Sequence, residues 1–179
     1  GTLAAVSMHS DCEKRAQDSG YRPVHASSVE PKRSSLPSNV QVAWPTGWTT
    51  QGITEAQANA GVVAYALDKS RDLGTQVSII SSEGIHDRLA YASSRRANQA
   101  GRLKGGQGGE IARLTVGGRE AMRFEVTGQL ASGLPVTYMI TIIEGKEQLA
   151  YVSTWASTPN FATHRGELTD IASRVSGIQ

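Results

Sequence analysis

Glu110-Ile-Ala-Arg-Leu-Thr-Val116, Gly117-Gly118 and Arg119-Glu-Ala-Met-Arg-Phe-Glu-Val-Thr127, followed by the runs Pro135 to Glu144 and Glu147 to Trp155, decide the fold of this chain. Ile111, Arg113 and Thr115 alternate with Ala112, Leu114 and Val116, and Met122, Phe124 and Val126 alternate with Arg123, Glu125 and Thr127. A period of two is the mark of strands with one wetter face. The Gly117-Gly118 and Gly145-Lys146 pairs suit two-residue hairpin turns, because glycine takes positive φ without steric cost. The centre of the protein is therefore expected to be an antiparallel meander.

Working outward toward the N-terminus, Lys104-Gly-Gly-Gln-Gly-Gly109 reads as the most flexible stretch of the domain. Before it, Ile85 to Arg102 changes period: Ile85, Leu89, Ala92 and Ala97 fall near helical spacing in a segment rich in Ala and Arg. This helix is expected to lie on the sheet with Arg88, Arg95 and Arg96 toward water and to stop at Gly101 or Gly105. Gly61 to Leu67 and Thr75 to Ile80 read as a hairpin whose polar bend carries Lys69 and Arg71. Val40 to Trp44 reads as a strand closed by Pro45-Thr-Gly-Trp48, while Thr49 to Ala60 fits either a loop or a helical turn. Beyond the meander, one last helix is expected, with Thr158 as N-cap, Pro159 at its first position, Phe161, Leu168, Ile171, Ala172 and Val175 on its apolar face, and Gly177 at its end.

The chain of 179 residues fits one domain, residues 37–179, preceded by an arm or tether, residues 1–36, whose serine-, proline- and charge-rich composition buries little apolar area. The formal net charge of +2 gives no strong pull toward nucleic acid or an anionic membrane. Cys12 is the single cysteine, so no intrachain disulfide can form. No run approaches the roughly 20 apolar residues that span a bilayer, and an exported form would have lost its signal from the chain as given.

Catalytic chemistry is poorly represented. The four histidines, His9, His25, His86 and His164, lack the i, i+4 spacing of a helical zinc site, and His9-x-x-Cys12 has no second pair to complete four ligands. No Gly-x-Ser-x-Gly elbow occurs. Gly105 to Gly109 lacks the Gly-Lys-Ser/Thr ending of a phosphate loop and precedes a strand instead of opening a helix. Neither a catalytic residue nor a metal or other cofactor is expected. Arg88, Arg95, Arg96, Arg102 and Lys104 concentrate positive charge, with Arg113 and Arg123 on the following strands. As a binding surface they would attract an acidic protein patch or anionic headgroups. With no aromatics interleaved, single-stranded nucleic acid is disfavoured. Tyr65, Tyr138, Tyr151 and Trp155 all fall in expected strands, and any that line a groove with Arg113 or Arg123 would make a protein or small-ligand site.

Pro45-Thr-Gly-Trp48, Ala66-Leu-Asp-Lys-Ser-Arg71, Gly118-Arg-Glu-Ala-Met-Arg-Phe124, Tyr138 to Gly145 and Tyr151-Val-Ser-Thr154, taken in this order, resemble the PsbP-like superfamily over residues 36–177, nearest the bacterial DcrB-type envelope lipoproteins. The resemblance implies an α+β fold, an αβα sandwich with an antiparallel sheet of about six strands and helices on both faces. It implies a non-enzymatic module that binds or scaffolds another envelope protein, as an accessory subunit of an envelope or secretion machine, in the periplasm or anchored to the membrane. Members of the superfamily include photosystem assembly proteins and nuclear Ran-binding proteins, and no shared catalytic residues carry over. Cys12 follows His-Ser-Asp and not the small apolar lipobox that lipidation needs, so a lipidated cysteine upstream of Gly1 fits the resemblance better. The alternative is a small-molecule carrier with a pocket between the helix and the sheet, gated by the Gly-rich stretch.

Overall fold

A computed structural model describes residues 38–179. The expected arm of residues 1–36, with His9, Cys12 and His25, lies outside the described residues. Among the described residues ten strands and four short-to-medium helices follow in order. They are β1 (Gln41–Val42), β2 (Thr49–Thr50), α1 (Glu55–Asn59), β3 (Val62–Asp68), β4 (Leu73–Ser81), α2 (Arg88–Gly101), β5 (Lys104–Gly108), β6 (Ala112–Val116), β7 (Arg119–Gln129), β8 (Pro135–Glu144), β9 (Gln148–Ser157), α3 (Thr158–Thr163), α4 (Arg165–Asp170), a 3₁₀ turn (Ile171–Arg174) and β10 (Val175–Ser176). The protein is α+β. Eight strands form one antiparallel sheet in the order β2-β3-β4-β9-β8-β7-β5, with β6 also paired to β7, and β1 pairs with β10 in a separate ribbon.

The meander forms where the alternation places it, but the expected two-residue turn at Gly145-Lys146 is replaced by a connection through residues 145–147 in which Gly145 does not take positive φ. Gly117 and Gly118, at φ +57° and +78°, make the β6–β7 turn, and both positive angles are what a type I′ hairpin requires. The sheet is wider than six strands because two edge strands carry no apolar alternation. One is β2. The other is β5, in the Gly-rich stretch expected to be flexible: Lys104, Gln107 and Gly108 pair with Gln129, Thr127 and Val126 of β7. Its glycines serve a close approach. A Cβ on Gly106 would overlap the Ala100 carbonyl, and one on Gly108 would come within 2.5 Å of the Arg96 side chain. So α2 rests almost directly on the β5 backbone.

The ambiguous stretch after Thr49 holds α1. Thr54 and Gln57 cap it reciprocally, each side chain bonded to the other's backbone N–H. Asp87 caps α2, accepting from the Ala90 N–H at 2.9 Å. The single terminal helix does not form. Ser157, and not Thr158, is the N-cap of α3, and the chain breaks at His164 (φ −110°, ψ 17°) before α4. The break falls in Thr163-His-Arg-Gly166, which includes a glycine and other weak helix formers. Phe161, Leu168, Ile171 and Ala172 are nonetheless buried, while Val175 ends up in β10.

Alternate residues of the central strands enter two apolar clusters. Tyr138, Ile140 and Ile142 of β8 join Phe124, Val126, Leu149 and Trp155, together with Tyr91 and Ala92 of α2. Met139 and Ile143 join Val77, Ile79, Val152, Phe161, Leu168 and Ile171.

Candidate functional site

The seven cations do not converge. Arg88 turns from water to Glu144 on β8, with 2.8 Å between Nε and Oε1. Arg96 lies along β5 and donates to the Gly109 carbonyl at 2.6 Å. Arg123 is half-buried; its Nε donates to Thr141 Oγ1 at 2.9 Å and it reaches the Thr169 carbonyl at 3.4 Å. Burial holds its pKa below the usual arginine value. Arg102, Lys104 and Arg113 are exposed near the outer edge formed by β5 and β6. The expectation of Arg88, Arg95 and Arg96 facing water is corrected at Arg95, while Arg88 and Arg96 stay partly exposed as they bond the sheet. The sheet and its acceptors lie within reach of these long side chains, and Leu89, expected on the apolar face, is 44% exposed instead.

Arg95 is the inward one. Its guanidinium carbon lies 5.1 Å from the Tyr151 ring centroid, a cation–π distance. Its Nε is shut off from solvent and has no hydrogen-bond partner. Burial lowers the Arg95 pKa, but the Tyr151 and Tyr91 oxygens outweigh burial and raise it. Burial pushes the Tyr91 hydroxyl up as well. Beside this group, the strand partners Gln76 and Ser153, and Ser78 and Tyr151, share one face of β4 and β9, and all four are half-buried. On the other face of the same strands Val77, Ile79, Ala150 and Val152 are buried. An aromatic group closes one end of this polar strip: Trp155 stacks on Tyr65 with centroids 6.3 Å apart and tilts against Tyr138 at 6.0 Å. The Trp155 ring lies across Gly74, where a Cβ would overlap it. Of the four aromatic residues considered with Arg113 and Arg123, Tyr151 lies against an arginine. That arginine is Arg95, not Arg113 or Arg123.

A second polar centre joins Pro45-Thr-Gly-Trp48 to the β3–β4 bend. Asp68 is 1% exposed and accepts from Ser70 Oγ at 2.8 Å and from Arg71 Nε at 2.7 Å. Arg71 continues to both Glu167 oxygens, at 2.5 and 2.8 Å, and the Trp48 indole N–H reaches Glu167 at 2.9 Å. Burial pushes the Asp68 carboxyl up, yet the bonds from Ser70 and Arg71 hold it below its usual value. The Arg71 bonds, against burial and with help from Trp48, lower Glu167. A Cβ on Gly47, at φ +97°, would stand 2.8 Å from Asp68 Oδ2. The polar bend was visible in the sequence; its partner Glu167 was not, since nothing local links α4 to a turn ninety-six residues earlier.

Lys104 and Gly105 border an open cleft of about 490 Å³ with Thr127, Gln129, Pro135 and Thr158. Among the described residues no group of three or more His, Cys, Asp and Glu side chains could hold a metal, and no helix is long and apolar enough to cross a membrane.

No protein-family model and no curated protein matches the sequence. Solved structures match the fold. LpqN from Mycobacterium tuberculosis, involved in cell envelope biogenesis, superposes with a TM-score of 0.59 at 13% identity over 84% of this chain and 90% of that one. Cyanobacterial PsbP (CyanoP) from Synechocystis sp. PCC 6803 gives 0.59 at 14% identity, over 88% and 97%. PA94 from Pseudomonas aeruginosa, a protein of unknown function, gives 0.51 at 12% identity, over 86% and 92%. At these identities the likeness concerns the fold, and that fold is PsbP-like.

Proposed function

We propose that this chain is a non-enzymatic protein-binding or scaffold module of the bacterial cell envelope, with residues 37–179 as the binding domain and residues 1–36 as its tether. The observation that carries this reading is the outer sheet edge. The long β7 is covered by two short strands, β5 and β6, whose own outer edges have no strand partner among the described residues and present Lys104 and Arg113 to solvent. Such an edge offers backbone donors and acceptors to an added strand, while its charges discourage self-pairing. The fold shared with LpqN, a protein of cell envelope biogenesis, supports an envelope setting. The architecture is read as three-layered, because period-two alternation in β8 divides its side chains between the cluster holding α2 and the cluster holding α3 and α4.

The test is capture from a bacterial envelope extract by the full chain, with wild type compared against a Lys104→Glu/Arg113→Glu double variant and a Lys146→Glu control. A protein retained by wild type and by the control, and lost on the double variant, is the expected outcome. A partner held equally by all three would move the site off this edge, and no partner at all would remove the reading. The cleft beside Lys104 favours one other function, a small-molecule carrier, which a molecule co-purifying in native mass spectrometry would reveal.

A further inference from the structure

We propose that the polar strip beside α2 is a binding site for a small oxyanion, a carboxylate or a phosphate, with Arg95 as its anchor. Three independent observations meet there. The first is the asymmetry of burial. β4 and β9 are interior strands of the sheet, buried on one face, yet on the face of α2 they present Gln76, Ser78, Tyr151 and Ser153 half-open to solvent. Polar side chains in mid-strand, at four positions that pair across two neighbouring strands, form a floor that donates and accepts hydrogen bonds.

The second is the orphaned donor. Arginine keeps its charge at any physiological pH, and its planar fork makes paired bonds to planar or tetrahedral oxyanions. Arg71, Arg88, Arg165 and Arg174 all have carboxylate partners. Among the described residues no carboxylate pairs with Arg95: its guanidinium bonds the Tyr151 hydroxyl, and its Nε–H is closed to solvent and has no acceptor. A guanidinium desolvated without a counter-charge is unfavourable, so an oxyanion that enters the strip and meets this guanidinium offsets a standing cost.

The third is pre-organisation. The Tyr151 ring lies against the guanidinium, 5.1 Å from its central carbon, and Tyr91, one helical turn before Arg95, brings a hydroxyl from the same face of α2. The two tyrosines are donors without charge, so the only full charge in the strip is positive. That selects an anion over a neutral carbonyl.

The inference concerns a different surface from the β5–β6 edge and does not depend on the protein-binding reading. It is tested with the full chain by following the Arg95 Nε–H resonance in nitrogen-15 NMR, assigned by its loss in Arg95→Met. The probes are sodium phosphate, sodium acetate and acetamide, titrated at constant ionic strength kept with sodium chloride. The expected result is a saturable shift of that resonance by phosphate or acetate with Kd of about 1 mM or tighter, and none by acetamide or chloride. Saturation by phosphate alone assigns the site to a phosphorylated ligand, and saturation by acetate alone to a carboxylate. In Tyr151→Phe, which keeps the ring and removes the hydroxyl, the affinity is expected to fall several-fold. An Nε–H that does not saturate with either anion overturns the proposal, as does one that responds equally to acetamide or chloride.

Discussion

Arg71 and Arg95 are both partly buried guanidiniums, and the molecule gives the first two carboxylate partners and the second, among the described residues, none. Arg71 bridges Asp68 and Glu167, each carboxylate receives further donors, and the bend, Trp48 and α4 are tied into one unit. Arg95 rests on Tyr151 with a buried N–H unused. The difference separates two uses of charge. A closed network over-determines the positions of the elements it touches, and removing one member strands the rest. An open one contributes little to holding the fold and keeps binding capacity in reserve.

Arg71→Met probes the closed end most severely. It leaves Asp68 buried with Ser70 and a backbone N–H as its remaining donors, and it is expected to cost about 3 kcal/mol, roughly 6–12 °C in Tm by calorimetry. A loss no larger than that of an exposed Lys146→Met control would break the contrast.

The pH dependence is a smaller effect with the same origin. Asp68 and Glu167 are both held below their ordinary values of 3.8 and 4.5. Their contribution is complete above about pH 5 and disappears as pH falls through the lowered folded values. Denaturant midpoints between about pH 6 and about pH 3 should therefore fall more steeply in wild type than in Arg71→Met, by about 1 kcal/mol over the range. Parallel slopes would show that the depressed carboxylates do not owe their state to Arg71.

The smallest effect is expected at the open end. Arg95→Met replaces a poorly satisfied charge by an apolar chain of similar reach, and stability should change by less than about 1 kcal/mol, or rise. A loss comparable with that of Arg71→Met would mean that Arg95 is a structural residue after all.

The sequence made the meander, the β3–β4 hairpin and α2 legible because each satisfies its own period: alternation from Ala112 to Val126, and in α2 a helical spacing that marked the element but not its buried face, since of Leu89, Ala92 and Ala97 only Ala92 is buried. Strand β5 was illegible for the converse reason. It pairs through backbone alone, and glycine, read as flexibility, is there to admit the Ala100 carbonyl and the Arg96 stem. The terminal helix was over-read because Phe161, Leu168 and Ile171 keep apolar spacing through a break at His164. Of the candidate site, residue types were visible and directions were not. Whether an arginine faces water or a tyrosine three strands away depends on which acceptors the sheet brings within reach, and Arg95 meets Tyr151 only after β8 and β9 have paired. Glu167 illustrates the same limit, since its meaning rests entirely on a turn far back in the chain.

The pairing of β4 with β9, from Gly74 against Trp155 to Ser81 against Gln148, sets an order of events during synthesis. When β3 and β4 leave the ribosome they can form their hairpin, but the inner edge of β4 has no native neighbour until nearly the whole chain has been made. The sheet must then close across a long loop of already extruded chain, a step whose cost slows folding. Until it closes, Val77 and Ile79 stay uncovered and the edge of β4 is free to pair with a second nascent copy. For this protein the moment of greatest vulnerability comes late, just before its last strands arrive.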